Sequence, residues 1–197
     1  MGSEVVIGFR EHTGWAAAVV LAGPIEEPAL VERRRIELLD GELPANAYHV
    51  AQALERRDAA RVVAEVREAA FECGARAVAE LVGDLRAAGH GVTMAVVAES
   101  KPPPSDLSRI LASHALLHAA EGELFRDVLV SGVAGCGLPV GRYPPKAVRD
   151  ELADAAGLTP DAVLERLAVI GRAAGPPWRE DQRLASMAAW LGLATRA

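Results

Sequence analysis

Apolar and polar positions alternate in two distinct periods along this chain. The first 40 residues follow the short, turn-bounded pattern of strands. Val5-Val-Ile-Gly-Phe9 is apolar and β-branched, Glu11-His-Thr-Gly14 has turn composition, and Trp15-Ala-Ala-Ala-Val-Val-Leu21 returns as a second apolar run. After Gly23-Pro24 and the acidic Glu26-Glu27-Pro28, residues 29–39 alternate as a third strand. Successive runs separated by short turn segments predict an antiparallel meander.

The period then lengthens. Residues 46–89 predict a short helix to about Arg57 and a long one from Asp58, with Val62, Val66, Ala69, Ala70, Cys73, Val78, Leu81 and Leu85 at helical spacing. Gly89-His90-Gly91 stops that helix, and Gly91-Val-Thr-Met-Ala-Val-Val-Ala98 reads as a buried strand closed by Glu99. Beyond Lys101-Pro102-Pro103-Pro104, Ser105 can cap a helix from Asp106 to about Ser131. Leu138-Pro-Val-Gly-Arg-Tyr143 predicts a short fifth strand. Helices follow from Pro144 to Ala156, from a Thr159-Pro160-Asp161 cap to Ala174, and from Arg179 to Ala194. The predicted order is βββ-α-β-α-β-α, an α/β fold with a mixed five-stranded sheet flanked by helices, and 197 residues suit one domain spanning 1–197.

Composition agrees. The chain is 51% hydrophobic but only 4% aromatic, its apolar content resting on Ala, Leu and Val. That mixture favours helices packed on a sheet over a β-sandwich. A net charge of −6 supplies no general attraction to nucleic acid, so such binding requires a local basic patch. Arg33-Arg-Arg35, with Arg56-Arg57, is the basic cluster; on a strand it reads either as a phosphate contact or as an edge protected by charge. Cys73 and Cys136 are widely separated and form no metal-type pair, which predicts free thiols in a reducing cytoplasm. No run of about 18 apolar residues predicts a membrane span, and the start Met-Gly-Ser-Glu carries no signal-type segment. No Walker-type or dinucleotide-binding glycine loop and no G-x-S-x-G elbow is present, which disfavours P-loop nucleotidases, Rossmann dehydrogenases and α/β-hydrolases.

Two sets of residues can carry chemistry. Glu99 lies at the C-terminal tip of a central strand, where open α/β sheets place ligands. The second set lies on the helix after the prolines. There His114, His118 and Glu121 fall among Leu107, Ile110, Leu111, Leu117, Phe125, Val128 and Leu129 at helical spacing, with Arg109, Glu123, Arg126 and Asp127 on the other side. This phase predicts that His114, His118 and Glu121 are buried against the sheet. They would form either a satisfied polar network or a metal site, since histidines four residues apart can share an ion.

The order of elements, with Ile7-Gly-Phe-Arg-Glu-His-Thr-Gly-Trp15, Val96-Val-Ala-Glu99, Leu138-Pro-Val-Gly-Arg-Tyr-Pro-Pro-Lys-Ala-Val148 and Arg179-Glu-Asp-Gln-Arg-Leu-Ala185, resembles the ribonuclease H-like superfamily, closest to the RuvC-type Holliday junction resolvases. The resemblance spans nearly the whole chain and implies a phosphodiester hydrolase acting on nucleic acid with Mg²⁺ or Mn²⁺. It assigns Glu99 and Asp181 to metal, with Glu180, Glu11 or His118 assisting. Two-metal hydrolysis needs clustered oxygen ligands. At the first-strand position where the family carries Asp, this chain has Arg10, and the nearest acid, Glu11, is one residue on. Side chains on a strand alternate faces, so Glu11 points away unless the strand ends or bulges there. The alternative the sequence supports is a catalytically degenerate binding or assembly module. A homodimer is compatible with either reading.

Overall fold

The structure, a computed structural model, describes residues 2–195. Five strands form one sheet: β1 (Glu4–His12), β2 (Trp15–Ala22), β3 (Ala29–Glu37), β4 (Gly91–Ala98) and β5 (Val140–Tyr143), in the order β3-β2-β1-β4-β5. The pairs β1–β2 and β2–β3 are antiparallel, while β4 runs parallel to both β1 and β5. This is the mixed sheet that the sequence predicts. β3 lies on the edge, as its arginines suggest.

The strand alternation sorts the core into two layers. Val5, Ile7, Phe9, Ala16, Ala18, Val20, Ala95 and Val97 face α2 (Arg56–Ala87) and α4 (His114–Gly135). Val6, Val19, Leu21, Val96 and Ala98 face α5 (Val148–Ala156), α6 (Pro160–Ala174) and α7 (Glu180–Ala194). Gly8 sits between β1 and α7 because nothing larger fits. A Cβ there would lie 2.0 Å from the Ala185 carbonyl oxygen and 2.5 Å from the Ala189 nitrogen. Backbone therefore packs on backbone, and that contact fixes where the first turn of α7 meets the end of β1.

Several boundaries depart from the sequence reading. β1 runs on through Glu11 to His12, and the turn contracts to Thr13-Gly14, with Gly14 at φ +85°. The cause is a continuous β1–β2 ladder out to His12↔Trp15. The expected helix 106–131 is two: α3 (Leu107–Leu111), capped by Asp106 accepting from the Ser108 N–H, and α4, which starts after an extended Ser113 and continues to Gly135. The short helix is α1 (Ala47–Gln52), and the expected start at Pro144 moves to Val148. No helix among the described residues is long and apolar enough to cross a membrane.

Candidate active site at the tips of β1 and β4

The parity of β1 decides the chemistry at its tip. Its only register shift lies between Val5 and Val6 in the pairing with β4, so alternation holds from there to the end. Arg10 and His12 leave on the face of α7, with Val6 and Gly8. Glu11 leaves on the opposite face, toward α4. Arg10 and Glu11 therefore serve opposite faces of the sheet, and Glu11 does not share the α7 side with Asp181.

Glu11 is instead locked into an ion pair. It is 4% exposed, and its Oε1 accepts from Arg126 Nη1 at 2.8 Å. The Arg10 guanidinium turns back, donating to the Glu11 backbone oxygen at 3.0 Å, and its Nη1 lies 3.3 Å from the same Oε1. Two guanidinium groups thus converge on one carboxylate oxygen. Arg126 also donates through Nε to Glu123 at 3.0 Å, and Glu123 accepts from Ser100 just beyond β4. Glu11 Oε2 and Arg10 Nε are buried with no hydrogen-bond partner. The sequence reading put Arg126 and Glu123 on the outer side of the helix. The structure corrects this, since Arg126 turns toward the end of β1 to meet Glu11 and is only 14% exposed. Beside this network the Tyr143 hydroxyl donates to the Phe9 oxygen. Burial, assisted by the Glu11 charge, raises its pKa well above the ordinary phenol value and keeps it neutral.

On the α7 side, His12 Nε2 donates to Asp181 Oδ1 at 2.7 Å. The His12 ring stacks on Trp15 with centroids 4.2 Å apart and planes 8° from parallel. The Arg35 guanidinium lies 4.1 Å from the Trp15 ring centre. Asp181 faces the sheet, as its stripe with Leu184, Ala185 and Ala188 predicts, but its bonding partner is a histidine. Glu180 is exposed in the same first turn, where a carboxylate favours the positive end of the helix dipole. Glu99 is exposed just past β4. Its backbone N–H donates to the Tyr143 oxygen at 2.9 Å, and its carboxylate makes no hydrogen bond or ion pair among the described residues.

The second predicted set lies elsewhere. His114 and His118 are exposed, contrary to the burial expected from a single helix phase; Glu121 is buried at 4% exposure. Both histidines lie in the first two turns of α4, where the neighbour is His49 of α1 and not the sheet. His118 contacts His114 and His49, not Glu99 or Asp181. Glu121 Oε1 accepts from both the backbone N–H and the Nδ1 of His49, at 3.2 and 2.8 Å. Sequence reasoning missed His49 and His12. The first is remote in sequence from α4, and the second was assigned to a turn. For His12 the unbroken alternation of β1 was the available signal.

The arginines of β3 are held internally. Arg33 donates to the carbonyls of Ala174, Pro176 and Pro177, Arg34 pairs with Glu32 and Asp84, and Arg35 pairs with Glu37. The carboxylates at the strand tips do not fit a two-metal cluster. The central position is a guanidinium, Glu11 faces the other way with its charge already matched, and Asp181 is engaged by His12.

No protein-family model matches the chain, and no curated protein matches it. Solved structures do. The Thermus thermophilus RuvC structure in complex with a Holliday junction substrate is 14% identical, with a TM-score of 0.59, and the match covers 98% of this chain and 95% of that one. A second Thermus thermophilus RuvC structure is 15% identical, with a TM-score of 0.56 and the same coverage. This chain therefore has the fold of the RuvC-type, ribonuclease H-like proteins over its described length.

Proposed function

We propose that this protein is a ribonuclease H-like module that binds nucleic acid without hydrolysing its phosphodiester backbone. The observation that carries this reading is Arg10, whose guanidinium joins that of Arg126 at Glu11 Oε1. With Arg10 at this position the strand tip lacks a carboxylate that a metal would need, and a guanidinium cannot activate a water. Support for a nucleic-acid partner comes from the likeness to a protein solved with a Holliday junction, and from the surface beside the tip. His12, Trp15 and Arg35 form a stacked aromatic and cationic patch, built from the side-chain types that contact bases and phosphates.

A second reading has one observation in its favour. Glu99 is exposed with an unengaged carboxylate, so Glu99 and Asp181 could hold a single Mg²⁺ or Mn²⁺ for hydrolysis. Fluorescence anisotropy and gel assays with a labelled four-way DNA junction separate the two. The proposal predicts salt-dependent binding and intact strands in Mg²⁺ or Mn²⁺. Metal-dependent cleavage that disappears in Glu99→Gln establishes the second reading instead. Absence of binding at low salt removes the nucleic-acid partner.

A further inference from the structure

On the opposite side of the sheet from Asp181, three histidines meet outside any role in the strand-tip chemistry. His49 comes from α1, and His114 and His118 come from the first two turns of α4. One ring nitrogen from each lies within 4.8 Å of the others. The three rings contact one another pairwise, with centroids 5.4 Å (His49–His114), 4.7 Å (His49–His118) and 4.5 Å (His114–His118) apart. We propose that His49, His114 and His118 form a binding site for a divalent transition metal of the zinc type, with Glu121 orienting His49 and one coordination position open to solvent.

Four features of the site point to that ligand. The first is spacing. His114 Nε2 and His118 Nε2 are 3.1 Å apart. Two nitrogens bound tetrahedrally at zinc distances lie about 3.3 Å apart, so the pair is already at chelating separation. The second is the tautomer of His49. Glu121 takes its Nδ1–H, which leaves Nε2 as the bare nitrogen available to an ion. Carboxylate–histidine pairs of this kind accompany metal-bound histidines, because they fix the ring and strengthen the donor.

The third is the placement of Glu121. It is 4% exposed and bonded twice to His49, a buried carboxylate committed to one imidazole. The sequence reading takes Glu121 as a ligand itself; the geometry makes it the support and supplies His49 as the third donor. The fourth is access. His114 and His118 are exposed, so an ion can enter and a water can complete its coordination. Three protein ligands and an open position are the arrangement of reactive rather than purely structural zinc sites. Imidazole nitrogen selects zinc, copper, nickel or cobalt over Mg²⁺.

The site shares no residue with the strand tips, so it stands or falls independently of the proposed function. The test uses the full-length protein stripped with a chelator and titrated with Zn²⁺ by calorimetry, and with Co²⁺ by visible absorption. The expected result is one Zn²⁺ per chain and the visible bands of tetrahedral Co²⁺. His114→Ala and His118→Ala, both at exposed positions, should each weaken Zn²⁺ binding at least tenfold and abolish the Co²⁺ bands. Glu121→Gln should weaken it by about 10–100-fold while retaining the bands. Failure to bind Zn²⁺, or His118→Ala binding as the unmodified protein does, overturns the proposal. So does unchanged binding in His49→Ala, which would leave only an adventitious helical pair. Circular dichroism of each variant confirms that loss of metal is not loss of fold.

Discussion

Replacing Arg126 by Met leaves most of the hydrocarbon packing in place and removes one of the two cations on Glu11. The carboxylate is 4% exposed, with Arg126 Nη1 at 2.8 Å and Arg10 Nη1 at 3.3 Å. Breaking a buried pair by deleting one partner costs about 3–5 kcal/mol, because the remaining charge is stranded. Arg10 stays close enough to compensate in part, so the expected loss is about 3 kcal/mol, at the low end of that range. In urea denaturation with a slope of about 2 kcal/mol per molar, the midpoint should fall by about 1.5 M at unchanged slope. The double variant Glu11→Leu/Arg126→Met should recover most of the loss, since an apolar pair no longer carries an uncompensated charge. An Arg126→Met midpoint within experimental error of the unmodified protein would refute the argument. It would mean that Glu11 is hydrated or protonated rather than held as a buried ion.

Two further outcomes follow from packing and burial. Gly8→Ala should cost about 3 kcal/mol or more, because its Cβ meets the backbone of α7, which cannot yield without moving the helix; thermal melting checks this. Burial, reinforced by Glu123, raises the Asp127 pKa above its ordinary value despite Arg67. A carboxyl with a raised folded-state pKa loses stability as pH climbs from the unfolded value through the folded one. Asp127→Asn should therefore raise the urea midpoint at pH 7, and that gain should vanish below the ordinary carboxylate range; a gain independent of pH would contradict this origin.

Much of this arrangement is written locally in the sequence. The meander, the Glu99 strand and the stripe carrying Asp181 are readable because each depends on periodicity within one element. The placement of Arg10 and Glu11 on opposite faces follows from the same period of two, once β1 continues to His12. What is not local is not readable. The break between α3 and α4 has no proline or glycine to announce it; it rests on an extended Ser113. The exposure of His114 and His118 and the burial of Arg126 depend on which elements cover each turn of α4, and spacing along the helix does not encode that. His49 reaches its partners only through the packing of α1 on α4, which no spacing encodes.

The central claim is that Arg10 stands in place of a carboxylate that a strand-tip metal would need. Calorimetric titration with Mn²⁺ tests it most directly, in a His118→Ala background that silences the histidine site. The account predicts no strand-tip binding with Arg10 in place, and measurable Mn²⁺ binding in Arg10→Asp that is lost again on adding Glu99→Gln. Binding of Mn²⁺ by the Arg10 protein itself, abolished by Glu99→Gln, would contradict it.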